Sequence, residues 1–121
     1  MGIISMSLNS WLLKIQVVIV LLGSVSVAFA VEVCPVLSDQ PLQYADVFDG
    51  SPDELASLVP DVSNRRSGYW RVDYVYRAGR FVTVRCKYAQ GKVVDVKLPE
   101  LVKKCSYSLD HHNVLKINCR K

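Results

Sequence analysis

Apolar and polar residues alternate along three successive stretches in the middle of this 121-residue chain. A period of two is typical of half-buried β-strands, because successive side chains of a strand point to opposite faces. Connections ending in glycine, at residues 77–79 and 89–91, join the stretches and favour tight hairpins. The apolar positions that share a face are Trp70, Val72, Tyr74 and Tyr76, then Val82, Val84, Cys86 and Tyr88, then Val94, Val96 and Leu98.

The two glycine turns also set the register of the predicted hairpins. Each register places apolar side chains on one common face, and a slip by one residue would destroy this match. The first turn predicts the pairs Tyr76–Arg80, Val72–Val84 and Trp70–Cys86, and the second predicts Tyr88–Lys92, Cys86–Val94 and Val84–Val96.

Two further strands are predicted after Pro99, joined by a turn at residues 110–114. Residues 69–120 are therefore expected to form an antiparallel five-stranded meander sheet, and such a sheet can curl toward a barrel. The pairs expected across the last turn are Leu109–Leu115, Tyr107–Ile117 and Cys105–Cys119.

The segment ahead of the sheet contains one helix start. Ser51-Pro52-Asp53-Glu54 combines a cap, a proline at the first helical position and an acid that can reach back to the cap. Leu55 and Leu58 give this short helix an apolar stripe, and Pro60 ends it. Residues 35–50 and 61–68 are expected to be irregular. The predicted class is mainly β, an α+β fold in which this N-terminal segment packs on the sheet.

The first thirty residues have the composition of a secretory signal peptide. Lys14 precedes an apolar run at residues 15–22, and Ala28-Phe29-Ala30 fits the small-x-small pattern that signal peptidase reads. We expect cleavage between Ala30 and Val31. The product is then an exported domain of residues 31–121 without a membrane span. An uncleaved anchor over residues 8–30 is the alternative, although it would bury polar residues.

All four cysteines lie in the predicted exported domain, where an even count indicates two disulfides. No pair has the close spacing of a zinc site. The strand register opposes Cys105 and Cys119, which leaves Cys34 to pair with Cys86. If the sheet curls into a barrel, Cys86 faces Cys105 or Cys119 instead.

Charge is distributed unevenly along this domain. Residues 31–64 carry seven acidic side chains and no basic ones, whereas residues 65–121 carry fourteen Lys or Arg and four acids. The net charges are −7 and +10, which sum to +3. Either the acidic segment folds over the basic sheet and partly neutralises it, or a basic surface serves an acidic partner. Nucleic acid is not an expected partner of an exported domain whose basic residues alternate with apolar ones.

Catalytic and metal-binding motifs are missing from this pattern. His111 and His112 are adjacent at a predicted hairpin tip, where a regular strand cannot turn both toward one metal. Asp110 lies beside them, but no nucleophile elbow accompanies it. The acids near the helix start suit the helix macrodipole better than a hydrolase carboxylate pair. We therefore expect a non-enzymatic protein without a cofactor or a metal.

Several segments of the domain resemble a group of small exported proteins from enterobacteria and related proteobacteria, uncharacterised in function. Some members are associated with type VI secretion loci. The resemblance covers most of residues 34–119 and implies an immunity protein that binds and blocks a peptidoglycan-cleaving amidase toxin. The segments that carry it are Phe48-Asp49-Gly50-Ser51-Pro52, Leu58-Val59-Pro60-Asp61, Gly68-Tyr69-Trp70, Gly79 to Tyr88, Val94 to Pro99, Cys105 and Leu115 to Cys119.

Two functions remain consistent with the sequence. One is a periplasmic inhibitor of such a toxin, and the other is a structural or accessory envelope protein whose sheet edge or basic face binds an envelope component. An inhibitor is expected to use two exposed polar loops, residues 63–68 and 110–113. The candidate contacts are Arg65, Arg66, Asp110, His111, His112 and Asn113. The sequence does not define an oligomeric state.

Overall fold

The computed structural model describes residues 30–121 of the chain. The signal sequence expected at residues 1–30 lies almost wholly outside this part, so its cleavage stays a prediction. The strands are β1 (Val31–Glu32), β2 (Leu42–Asp49), β3 (Val62–Ser63), β4 (Ser67–Arg71), β5 (Val82–Tyr88), β6 (Val93–Leu98), β7 (Lys104–Leu109) and β8 (Leu115–Arg120). One α-helix, α1 (Asp73–Arg77), and two 3₁₀ turns, Pro52–Glu54 and Ala89–Gly91, complete the elements of the described residues.

The described strands form two antiparallel sheets rather than one meander. One sheet has the order β1-β8-β7-β4-β3, and the other has the order β2-β5-β6. Both sheets contribute to one buried apolar cluster, and this confirms the mainly β, antiparallel class with a short helix. The cluster includes Val47, Val84 and Cys86 from the three-stranded sheet and Trp70, Cys105 and Ile117 from the five-stranded sheet.

The two C-terminal hairpins have the predicted registers, because each is set by a local turn and by apolar residues on one face. In the first, the Tyr88 N–H donates to the Lys92 carbonyl at 2.8 Å. The observed pairs are Cys86–Val94 and Val84–Val96 between β5 and β6, and Leu109–Leu115, Tyr107–Ile117 and Cys105–Cys119 between β7 and β8.

Residues 73–77 form the helix α1, where the sequence pattern predicts a strand. Val72 and Val75 are buried and lie three residues apart, whereas Tyr74 between them is 48% exposed. This spacing suits one turn of helix better than a strand. Gly79, the expected hairpin glycine, follows the helix end with a φ of 76°. Left-handed glycines are common both in hairpins and after helices, so the glycine signal is ambiguous.

Because α1 follows β4, the first predicted hairpin is wrong. β4 pairs with β7, and this places Trp70 opposite Cys105. The Trp70 indole N–H donates to the Leu58 carbonyl at 3.1 Å. β5 has β2 and β6 as its neighbours instead. The predicted pairs that the structure does not contain are Tyr76–Arg80, Val72–Val84 and Trp70–Cys86.

The acidic segment contains a strand, β2, where irregular structure is predicted. β2 pairs with β5 and places Val47 opposite Val84. A register shift between Leu42 and Tyr44 breaks the alternation of the strand, and two of its eight positions, Asp46 and Asp49, are acidic. A period-two search therefore misses it.

The helix predicted at Ser51 is a single 3₁₀ turn. The Ser51 hydroxyl accepts the Asp53 N–H at 3.4 Å, as expected for a cap. Leu55 then adopts a left-handed conformation with a φ of 60° and is 84% exposed, so the predicted apolar stripe does not form. Leu58 packs against the core, and its N–H donates to the Val47 carbonyl at 2.8 Å, which covers part of the β2 edge.

The structure contains two disulfides, in the two pairs that the strand register favours. Cys34–Cys86 joins the N-terminal segment to β5 across 52 residues, with a Cα–Cα distance of 5.8 Å. Cys105–Cys119 crosses the β7–β8 hairpin with a Cα–Cα distance of 4.1 Å. No cysteine of the described residues is free. The first bridge fastens the N-terminal segment to the three-stranded sheet, and the second links the two strands of the last hairpin to each other.

Candidate functional site

The two loops expected to contact a partner are neighbours at one end of the five-stranded sheet. Because β4 pairs with β7, the loop before β4 meets the loop after β7. The Leu109 N–H donates to the Arg66 carbonyl at 2.8 Å, and the Arg66 guanidinium donates to the Asp110 carbonyl. We call this surface the loop end and define it by Arg65, Arg66, Asp110, His111, His112 and Asn113, of which all but Asp110 are exposed.

Asp110 organises the tip of the β7–β8 loop. Its carboxylate accepts the His112 N–H at 2.7 Å and the Val114 N–H at 3.1 Å. Asn113 completes the turn with a φ of 59°, a conformation that asparagine tolerates well. The bond from Val114, supported by the N–H and charge of His112, holds the pKa of Asp110 below its ordinary value. The tip is therefore hydrogen-bonded rather than loose.

The two histidines share this tip without forming a chelating pair. Their rings lie edge to face with centroids 6.2 Å apart, and both residues are exposed. Within residues 30–121, no group of three His, Cys, Asp or Glu residues is placed to hold a metal ion.

The acidic segment forms ion pairs with two cations in and beside β5. Lys87 pairs with Asp46 at 2.7 Å, and Arg80 pairs with both Asp49 and Glu54. The carboxylates near the 3₁₀ turn therefore hold Arg80, and Glu54 does not reach back to the Ser51 cap as predicted. The acidic segment thus neutralises two cations of the basic half, as the first interpretation of the charge asymmetry expects in part.

The outer face of the five-stranded sheet carries three neighbouring cations that have no acidic partner among the described residues. Arg71 lies opposite Lys104, and Lys104 lies opposite Arg120, so three cations stand side by side across β4, β7 and β8. None of them forms an ion pair with an acid of the described residues. We call these three residues the basic row. Sequence reasoning misses the row because it depends on the β4–β7 pairing, which joins residues 33 positions apart.

Two concave regions flank these surfaces. A groove of about 1110 Å³ runs beside the basic row, and Lys104 and Arg120 form part of its wall. A smaller pocket of about 470 Å³ lies between β2 and the last hairpin and includes Tyr44, Leu109 and Leu115. Leu109 and Leu115 flank the loop end, so this pocket is next to the candidate contacts.

A family model matches residues 37–120, which is more than half of the chain. Its description is Type VI secretion system Tli immunity protein. The chain belongs to this family. The matched range contains the loop end, the basic row and three of the four cysteines, while Cys34 precedes it. Comparisons with curated proteins and with solved structures find no match.

Membership in the Tli immunity family fits the geometry of the described residues. Immunity proteins of type VI secretion act by binding a protein toxin, and the structure offers exposed loops on a disulfide-bonded sheet for such binding. Within residues 30–121, no helix has the length and apolar composition needed to cross a membrane.

Proposed function

We propose that the protein acts in the periplasm, where it binds a toxin delivered by type VI secretion and blocks its activity through the loop end. Membership in the Tli immunity family is the observation that supports the immunity role. The signal-peptide-like first thirty residues and the two disulfides support an oxidising compartment outside the cytoplasm.

The loop end suits an inhibitory contact because its polar groups are presented by a rigid frame. The bonds that join Arg66 to Asp110 and Leu109 fix the two loops relative to each other. Preorganised loops lose little conformational entropy when they bind, which raises affinity. Arg65 makes no ion pair with the described acids, and a guanidinium is well suited to a carboxylate on a partner.

The toxin that we propose is a peptidoglycan amidase. This part of the proposal rests only on the resemblance to exported proteins of type VI secretion loci, since no surface feature of the described residues selects one hydrolase class. Blocking would place the loop end over the catalytic cleft of the toxin, so substrate could not enter. The protein would need no catalytic group of its own for this role.

Affinity purification of the tagged, exported protein from periplasm, followed by mass spectrometry, identifies the partner without presuming its class. The purified partner is then assayed on peptidoglycan and on phospholipid, with and without equimolar immunity protein. Inhibited amide cleavage supports the full proposal. Inhibition of another hydrolase keeps the immunity role and overturns the amidase assignment. Recovery of a structural envelope component alone, with no toxin inhibited, overturns the proposal and favours the accessory role.

A further inference from the structure

The basic row is an electrostatically costly arrangement within the folded chain. Arg71, Lys104 and Arg120 occupy directly opposed positions on one face of the sheet. Like charges at opposed positions of antiparallel strands repel each other and reduce stability. The row lies at the end of the sheet away from the loop end, since Arg71 is five residues from Arg66, or about 17 Å along β4 at the usual rise per residue.

Nearby acids do not neutralise the row. The Asp61 carboxylate accepts the backbone N–H of Arg71 at 2.6 Å, but it forms no ion pair with the guanidinium. Glu32 lies opposite Asn118 on the same outer face and also forms no ion pair. By contrast, Arg85 and Lys87 of β5, and Arg80 just before this strand, each have an acidic partner. The three cations of the row are therefore cross-strand neighbours on one face, and none of them has an acidic partner among the described residues.

An aromatic ring holds two of these cations in place. The Lys104 ammonium lies 4.0 Å from the Tyr69 ring centroid, and the Arg71 guanidinium lies 5.9 Å from the same centroid. Such contacts restrict long side chains while leaving their charge available. Ser106 and Asn118 occupy the next positions along β7 and β8 and add polar groups between the row and the loop end.

The groove beside the row adds apolar surface. Apolar residues such as Val31, Leu98 and Val102 line its wall. The charged residues of the wall are four cations, Lys103, Lys104, Arg120 and Lys121, and two acids, Glu32 and Glu100, so the cations outnumber the acids. A ligand that carries acidic groups next to an apolar side chain is complementary to both features at once.

We propose that the basic row and its groove bind an acidic segment of the toxin, so that the toxin covers the outer face from the loop end to the row. This inference rests on the proposed immunity function and extends its contact surface. The row attracts the acidic segment during encounter and raises the association rate constant, and it contributes charge-assisted hydrogen bonds in the complex.

The test compares two triple variants that remove the same net charge. Arg71→Gln, Lys104→Gln and Arg120→Gln neutralise the row, whereas Arg77→Gln, Lys92→Gln and Lys97→Gln remove three exposed cations elsewhere. Circular dichroism and thermal unfolding check that both variants fold. Association with the purified, catalytically inactive toxin is followed at low and high salt. We expect the row variant to associate about tenfold more slowly at low salt and to lose most of its salt dependence, with the control within about twofold of wild type.

Three outcomes overturn the inference. Equal slowing of both variants would show that only net charge matters, and wild-type binding by the row variant would show that the toxin does not touch the row. Loss of binding to phosphatidylglycerol vesicles by the row variant, with toxin binding intact, would assign the row to a membrane surface. Failure of the wild-type protein to bind any toxin is a different result, because it removes the proposed function on which the inference rests.

Discussion

Arg66 and Asp110 are 44 residues apart in the chain, yet the guanidinium of Arg66 donates a hydrogen bond to the carbonyl of Asp110. Antiparallel pairing of β4 with β7 brings them together, with Ser67 opposite Ser108. The carbonyl belongs to the residue whose carboxylate organises the next turn. This side-chain bond, together with the bond from the Leu109 N–H to the Arg66 carbonyl, couples two loops that are separately predicted as partner contacts.

Replacing Arg65, Arg66, His111 and His112 together by alanine should weaken toxin binding while leaving the fold intact. These side chains are exposed, so their loss opens no cavity in the core. Besides partner contacts, the Arg66 substitution removes its bond to the Asp110 carbonyl, while the Leu109 N–H still bonds the Arg66 carbonyl. We expect the free energy of toxin binding to weaken by about 2 kcal/mol or more if the contacts include hot spots. This corresponds to an increase in Kd of about 30-fold. Isothermal titration calorimetry measures it. The matched control, Arg77→Ala with Lys92→Ala, removes two cations elsewhere. If the quadruple variant binds the toxin as tightly as this control does, the loop end is not the contact surface.

Export should remove residues 1–30 and yield a soluble product that begins at Val31. The short apolar run and Ala28-Phe29-Ala30 motivate this expectation. Intact-mass measurement of the periplasmic protein decides it. Replacing Ala28 and Ala30 by leucine should block processing and retain the full mass, since signal peptidase needs small residues at these positions. A wild-type product that still starts at Met1 would contradict the prediction.

Loss of either disulfide should destabilise the protein severely. The loop-entropy model gives about 4 kcal/mol for Cys34–Cys86, which closes a loop across 52 residues, and about 3 kcal/mol for Cys105–Cys119, which closes one across 14. Either value is comparable with the net stability of a small domain. Urea unfolding of the paired Cys→Ala variants measures both losses.

Peptide mapping without reduction tests the connectivity itself. The expected linked peptides join Cys34 to Cys86 and Cys105 to Cys119. A Cys86 peptide joined to either C-terminal cysteine would contradict both the strand register and the arrangement of the two sheets.

The parts of the fold that could be predicted are local in sequence. The β5–β6 and β7–β8 hairpins each depend on one short turn and on apolar residues a few positions either side, so their registers are correct. The pairing of β4 is not local in this sense. The helix α1 separates β4 from β5, and the strand with which β4 does pair, β7, begins 33 residues after β4 ends. Periodicity cannot report such a pairing, since it constrains which face of a strand is buried but not which strand lies beside it.

The candidate site also has features that could be predicted from the sequence and features that depend on the strand pairing. Arg65, Arg66 and the 110–113 turn are predictable as exposed polar loops, but their contact is visible only after β4 and β7 are paired. The basic row depends on three strands being adjacent in the correct register. The sequence reveals an excess of basic residues after residue 64, but it cannot show which of them the acidic segment neutralises.

Gly68→Ala should destabilise the sheet that carries the loop end. A Cβ at this position would overlap the Val62 carbonyl oxygen and the Tyr107 ring, and the backbone oxygen has little freedom to move. We expect this overpacking to lower the free energy of unfolding by about 3 kcal/mol. Gly79→Ala is the matched control, because its Cβ would meet open space and only the positive φ is strained, at a cost of about 1 kcal/mol. Equal melting temperatures for the two variants would contradict the close approach of β3, β4 and Tyr107.

Asp110 should make the stability of the loop end sensitive to acid. Its pKa is lowered in the folded protein, first by the bond from the Val114 N–H, so the carboxylate favours folding when it is ionised. The stabilisation is fully present above the unfolded-state pKa of about 3.9 and is lost as the pH falls through the lower, folded pKa. Asp95 and Glu100, whose pKa values Arg85 and Lys121 lower, add to the same acid sensitivity.

Asp110→Asn separates this ionisation from the geometry of the turn. The asparagine side-chain oxygen can still accept the His112 and Val114 N–H groups, but it does not titrate. Urea unfolding between about pH 2 and pH 6 should therefore show a shallower pH dependence than wild type, with the remainder due to Asp95 and Glu100. Asp110→Ala should lose stability above pH 4 as well, because both N–H groups lose their acceptor. Asp39→Asn, at an exposed position without an ion pair, is the control. If Asp110→Asn and wild type have the same slope, the Asp110 carboxylate does not stabilise the turn through its charge.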